Sequence, residues 1–159
     1  MSEQDLIIVQ HSIAMTSADV CRKSAKNRIR LLAQDPDYTM QSQKILEEYG
    51  FEIVGKFGAG GFSEINEESI VFSPFVSAPV KQILADIARP ALVISDGFGA
   101  FNDSEKPWAE ADSPRTQQMW QEYQSYDFPV SPDDAQLNDS NLHKLILQFR
   151  IATEVASCQ

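Results

Sequence analysis

Apolar positions in the first third of the chain change from strand-like to helical spacing. The β-branched run at residues 6–9 is typical of a buried strand. The hydroxyl and carboxylate side chains of Thr16–Asp19 predict the start of a helix whose inward positions extend to Ala33. A second helix is predicted over residues 39–49, because a threonine can cap its start and Gly50 can form its left-handed end.

Two further strands are predicted on either side of a glycine-rich break. Phe51, Ile53 and Phe57 alternate with polar residues or glycine, which indicates one strand. The run Ile70–Phe72 indicates the next one. Because Gly58–Gly61 separates these strands, they are candidates for an antiparallel hairpin.

The middle of the chain predicts a helix followed by a buried strand. Ser77–Pro79 opens the helix, since proline is tolerated in a first turn. Its apolar stripe consists of Val80, Ile83, Leu84 and Ile87. The continuous apolar run at residues 91–94 is typical of a central strand covered on both faces, and Ser95–Gly97 turns out of its carboxyl end.

The last third of the chain predicts a long loop and two helices. Residues 97–114 show no periodicity and read as a loop, and a helix follows around residues 115–124. Ser131–Asp134 combines a cap, a proline and two acids, which predicts the start of a final helix. The apolar stripe of that helix would comprise Leu142, Leu145, Ile146, Phe149 and Ala152.

The order of these elements, β-α-α-β-β-α-β-α-α, predicts an α/β or α+β fold. We expect one domain over residues 1–159, with a mixed sheet of about four strands and helices packed on it. Leu46–Gly61 resembles a helix-to-strand stretch of flavodoxin-like proteins, and this resemblance implies an α/β fold. Residues 10–15 lack the Ser, Thr and Gly residues of an FMN phosphate site, so we expect no such cofactor.

The charge of the chain narrows the classes of partner. Its 159 residues include 23 acidic and 13 basic side chains, which gives a formal charge of −10 and a pI near 4.5. This field opposes binding to nucleic acid or to anionic membranes and favours a basic partner. The chain begins without a secretion signal and has no apolar run long enough to span a membrane, and Cys21 and Cys158 read as free thiols. We therefore expect a cytoplasmic protein.

No catalytic, cofactor or metal motif is recognisable in the sequence. Gly58–Ile65 resembles the glycine-rich phosphate loop of protein kinases, but the chain has no His-Arg-Asp motif and too few residues for two kinase lobes. We interpret its glycines as turn residues. The two histidines, His11 and His143, belong to no signature and read as ordinary structural or surface residues. We therefore expect neither a cofactor nor a bound metal, and no catalytic residue is assigned.

Asp96 supports an alternative hypothesis, a small enzyme. This carboxylate follows an apolar strand, where open α/β sheets place their ligands. His11 follows the first predicted strand in the same way. A small enzyme of unrecognised family would use both residues near the carboxyl ends of its strands. An aspartate that closes a turn through its own backbone is the favoured interpretation of Asp96.

Basic residues are concentrated in one predicted helix. Arg22, Lys26 and Arg30 fall on one helical face at 100° per residue, with no acidic residue among positions 22–30. This basic face has three interpretations. It pairs with the acidic half of the chain, within one molecule or across a homodimer; it binds an anionic ligand or RNA; or it is a solvated surface.

The acidic and aromatic stretch after Asp96 is the predicted binding surface. Aromatic anchors surrounded by charge are typical of protein-binding hot spots, and aromatic rings that only pin a long loop onto the core are the alternative interpretation. The predicted partner-binding residues are Asp96, Phe98, Phe101, Asp103, Glu105, Trp108, Glu110 and Asp112. The leading hypothesis is an acidic protein-binding module, such as an immunity or antitoxin-type inhibitor that covers a basic toxin.

Overall fold

The computed structural model describes residues 3–24, 28–55, 60–76, 78–96, 113–130 and 142–152. The chain divides into two compact units, Met1–Glu64 and Ile65–Gln159. Within the described residues the first unit holds a two-stranded sheet and the second a four-stranded mixed sheet, and helices accompany both. The predicted mixed α/β fold class is therefore confirmed, and a single domain over residues 1–159 stays a prediction.

Helix α1, Glu3–Arg22, contains the residues predicted as the first strand, so that prediction is wrong. The buried or half-buried Ala14, Met15 and Ala18 recur at helical spacing, and Ala14 and Met15 pack against the core of the first unit. The hydroxyls of Ser12, Thr16 and Ser17 each donate to the carbonyl four residues earlier, at 2.8 Å. Residues that resemble a helix cap thus lie inside a helix, where their hydroxyls are satisfied by carbonyls of the same helix.

Strand β1, Leu31–Ala33, replaces the predicted end of the first helix, which is also wrong. It pairs in parallel with β2, Phe51–Ile53, in the register Leu31 to Phe51. The predicted hairpin of β2 with the strand at residue 70 is wrong as well, because both strands have other, parallel partners. Ala33, Leu46 and Phe51 form the buried core of this unit.

Helix α2, Met40–Glu48, connects β1 to β2 and confirms its sequence signals. The side-chain oxygen of Thr39 accepts a hydrogen bond from the backbone N–H of Ser42 at 3.1 Å, as an N-cap residue should. Gly50 follows the helix with φ of 88°, a left-handed conformation that favours glycine.

The four-stranded sheet of the second unit consists of β3, Ile70–Ser73; β4, Leu92–Asp96; β5, Tyr123–Asp127; and β6, Leu145–Arg150. Its spatial order is β3-β4-β6-β5, with β3 and β4 parallel and the other two pairs antiparallel. The strands predicted near residues 70 and 91 are confirmed, and β4 is internal as predicted. The fully buried core residues include Leu84, Val93, Met119 and Leu145.

Two helices accompany this sheet, α3, Val80–Ile87, and α4, Pro114–Trp120. α3 confirms the predicted third helix, with Val80 and Leu84 buried. The helix predicted around residues 115–124 ends at Trp120, and the chain continues as β5. Ser113 caps α4 through a reciprocal pair of hydrogen bonds with Thr116.

The predicted final helix is wrong over residues 145–150, which form β6. Leu142 and Leu145 are buried as that prediction expects, but Leu142 belongs to a 3-10 turn and Leu145 begins the strand. β6 lies between β4 and β5, so its backbone groups are paired on both sides. Pairing with two neighbours outweighs the local helical spacing. The predicted start of that helix, residues 131–134, lies outside the described residues.

Candidate ligand site at the carboxyl end of β4

The carboxyl ends of β3 and β4 form the candidate site. The two strands are parallel and end together, since Ser73 is in register with Ser95 and Asp96 is the next residue. Ser73, Ser95 and Asp96 are all buried. Polar side chains at the carboxyl edge of parallel strands occupy the position where open α/β sheets bind ligands.

Asp96 is 2% exposed, and its Oδ2 atom has no hydrogen-bond donor among the described residues. A buried carboxylate oxygen without a donor loses its hydration and gains nothing in return, which costs about 1–3 kcal/mol or more. Native proteins satisfy most buried polar atoms, so such an exception calls for an explanation. The strand end thus offers a hydrogen-bond acceptor that the described fold does not use.

Lys81 is the second charged group buried at this edge. It lies in the first turn of α3 and is 7% exposed. Its Nζ atom donates a hydrogen bond to the main-chain oxygen of Asp96 at 2.9 Å. The hydroxyl of Ser95 donates to the same oxygen at 3.3 Å. These contacts fix the backbone at the end of β4 and leave the side-chain Oδ2 of Asp96 unused.

The arginines of the second unit pair with acids other than Asp96. Arg89 pairs with Glu122 at 3.2 Å, Arg115 pairs with Asp86 at 2.6 Å, and Arg150 lies 3.6 Å from Glu67. Those three acids have more exposed side chains than Asp96. Within the ranges that the structure describes, the most deeply buried carboxylate of this unit has no ion-pair partner.

The corresponding edge of the first unit is closed by its own chain. Gln34 follows β1, and its Oε1 atom accepts a hydrogen bond from the backbone N–H of Gly61 at 2.7 Å. A Cβ atom on Gly55 or Gly61 would collide with that oxygen. Gly55 also has φ of 68°, so glycine is needed there for conformation as well as for space. At this edge of the first unit, glycine backbone fills the position that the carboxylate of Asp96 occupies at the edge of the second unit.

His11 is not placed as the enzyme hypothesis expects, because it lies within α1 and not after a strand. Its Nε2 atom is 2.8 Å from the hydroxyl of Tyr38, and its ring contacts Phe51 edge-on. Burial and the nearby carboxylate of Asp35 raise the pKa of Tyr38 to about 12. His11 thus joins α1 to the segment before α2, which is a structural role. His143 lies exposed in the 3-10 turn.

Arg22 and Arg30 do not share a helical face, because α1 ends at Arg22 and Arg30 precedes β1. Arg22 pairs with Asp19 at 2.6 Å, and Arg30 pairs with Glu52 at 2.7 Å and Glu64 at 3.0 Å. The alignment predicted for Arg22, Lys26 and Arg30 is therefore wrong, and Lys26 lies outside the described residues. Hydrogen bonds with Glu52 and Glu64 raise the pKa of Arg30, and the hydrogen bonds from Arg30 lower the pKa of Glu52.

Of the predicted partner-binding residues, only Asp96 lies within the described residues. The others lie outside them: Phe98, Phe101, Asp103, Glu105, Trp108, Glu110 and Asp112. Binding of a protein partner through this stretch stays a prediction. The sequence does not single out Lys81 or Gln34, because a lysine in a first helical turn and a glutamine at the end of a predicted helix are typical of solvated positions.

Two other kinds of site, a metal centre and a membrane-spanning helix, are absent from the described ranges. No group of three or more His, Cys, Asp or Glu side chains is arranged to hold a metal ion. None of the helices there has the length and apolar character needed to cross a bilayer. Among the described residues, Asp96 and Lys81 are the two charged side chains buried at the carboxyl edge of β3 and β4.

Comparisons with known proteins give one match. A search of curated proteins and a search of solved structures each found nothing similar. The family model of the SRR1 domain matches residues 3–149. This range includes β1 to β5, both edges described above and all but the last residue of β6. The chain belongs to the SRR1 domain family.

Proposed function

We propose that this SRR1-domain protein binds a small polar molecule at the carboxyl edge of β3 and β4, and that Asp96 contacts it. The observation that carries the proposal is the unsatisfied Oδ2 atom of a residue that is 2% exposed. A hydrogen-bond donor on a ligand would offset the desolvation of that oxygen. In small-molecule sites a few polar groups fix the orientation of the ligand, and Asp96 would be one such group here.

The surrounding residues support a binding role for this edge. Lys81 and Ser95 donate hydrogen bonds to the main-chain oxygen of Asp96, and these bonds fix the backbone that carries the carboxylate. A preorganised acceptor binds a donor with less loss of conformational freedom than a mobile one. The parallel β3–β4 pair provides the rigid base.

A thermal-shift screen with a defined panel of amino acids, polyamines, nucleosides and sugars tests this proposal. At 100 times its dissociation constant a ligand stabilises a protein by about 2.7 kcal/mol, which raises the melting temperature by several degrees. We expect at least one compound to stabilise the wild type and to lose that effect in Asp96→Asn.

Asp127→Asn is the matched control, because it removes the same charge from an exposed position on β5. It should respond to the panel as the wild type does. A panel without any stabilising compound, or one whose compounds stabilise Asp96→Asn equally, would contradict the proposal.

A further inference from the structure

We infer that the ligand presents a protonated amine or guanidinium group to Asp96. This inference rests on the proposed function and adds the charge of the bound group. Its starting point is that Oδ2 of Asp96 has no donor among the described residues, and that an ionised carboxylate at this buried position would also need a compensating positive charge. A neutral hydroxyl or amide would satisfy only the first requirement, whereas a cationic donor satisfies both.

The described residues of the second unit do not supply that cation to Asp96. The three arginines of this unit pair with other acids: Arg89 with Glu122, Arg115 with Asp86 and Arg150 with Glu67. The ammonium group of Lys81 donates to the main-chain oxygen of Asp96 and holds the strand end. A ligand cation at Oδ2 would therefore complete an ion pair for which the fold already provides one half.

The charge of the second unit favours the same kind of ligand. Residues 65–159 contain fourteen acidic and six basic side chains, a formal charge of −8, whereas residues 1–64 carry −2. A negative field of this size raises the local concentration of cations and speeds their association. The long-range field and the local acceptor thus select for the same sign of charge.

An organic cation fits the site better than a metal ion. Ca²⁺ takes six to eight oxygen ligands, and protein sites for Zn²⁺ combine three or four His, Cys or carboxylate side chains. The described residues include no cluster of three acidic, histidine or cysteine side chains that could provide them. One buried carboxylate is instead the usual partner of a single ammonium or guanidinium group.

Paired amines and alcohols of the same shape test this inference on the full chain. The pairs are butylamine with butanol, ethanolamine with ethylene glycol, and cyclohexylamine with cyclohexanol, with magnesium chloride at equal ionic strength as the inorganic control. Binding is measured by thermal shift and by NMR shifts of the backbone amides of residues 92–96. We expect the amines to bind at least about tenfold more tightly than the alcohols and to lose this preference in Asp96→Asn.

The outcomes separate the two proposals. Alcohols that bind as well as amines, with both dependent on Asp96, would overturn the cationic ligand and leave the proposed binding site intact. Magnesium that reproduces the amine effect would also overturn the organic cation. If no compound of this series or of the metabolite panel perturbs residues 92–96, both proposals fail.

Discussion

The two units end their parallel strands in different ways. After β1 the side chain of Gln34 meets the backbone N–H of Gly61, and glycines leave room for no other group. At the end of β4 a carboxylate is buried with one oxygen that no described donor reaches. The first edge is closed by its own chain, whereas the second has a hydrogen-bond acceptor that the described residues leave unused. An unsatisfied polar atom thus distinguishes a candidate site from a structural edge even where both occupy the same position relative to the strands.

The largest expected loss of stability comes from adding a side chain at Gly55, at the closed edge of the first unit. Gly55→Ala should lower the free energy of unfolding by about 2–3 kcal/mol, because a side chain at φ of 68° is strained and its Cβ would displace Oε1 of Gln34. Urea denaturation measures this change. Gly50→Ala is the control, since Gly50 has φ of 88° but open space around it. Equal losses in both variants would contradict a packed edge at Gly55.

A smaller loss of stability is expected when the hydrogen bond between Gln34 and the backbone of Gly61 is removed. Gln34→Leu should lower the free energy of unfolding by about 1 kcal/mol, because the N–H of Gly61 loses its acceptor. Gln34→Glu keeps an acceptor oxygen at the same reach and should retain most of the stability. Denaturant titration of both variants checks this, and indistinguishable midpoints for them would show that the hydrogen bond does not hold the edge.

Glu52 of the first unit differs from Asp96 in having a described ion-pair partner, Arg30. Hydrogen bonds from Arg30 lower the pKa of Glu52, so this carboxylate favours the folded state above its ordinary pKa, and the benefit is lost as the pH falls through the lowered value. Arg30→Gln should move the pKa of Glu52 back towards its ordinary value, as measured by NMR titration of the side-chain carboxyl. Arg22→Gln, which breaks a separate pair with Asp19, should leave it unchanged. If the pKa of Glu52 did not change in Arg30→Gln, the ion pair between Arg30 and Glu52 would be contradicted.

The sequence predicts the elements whose signals are local. Thr39 and Gly50 mark the ends of α2, and the apolar runs near residues 70 and 91 form strands, because caps and short β-branched runs act within a few residues. The position of Asp96 after a strand is predictable for the same reason.

The remaining errors have tertiary causes. Residues 6–9 belong to a helix because Ala14, Met15 and Ala18 give α1 a face to bury, and residues 145–150 form a strand because two neighbours pair with them. The isolated Oδ2 of Asp96 and the reach of Lys81 to its backbone depend on packing between α3 and β4, which no local pattern encodes.

The unfolding free energy of Asp96→Asn, measured without ligand, tests the central claim most directly. Thr116→Val is the comparison, because Thr116 is also 2% exposed but makes hydrogen bonds with Ser113, so its loss should cost about 1 kcal/mol. We predict that Asp96→Asn is as stable as the wild type or more stable, since a neutral amide costs less to bury than a carboxylate whose Oδ2 atom has no donor. A loss equal to or larger than that of Thr116→Val would show that the fold itself depends on the charge of Asp96, and would contradict the account.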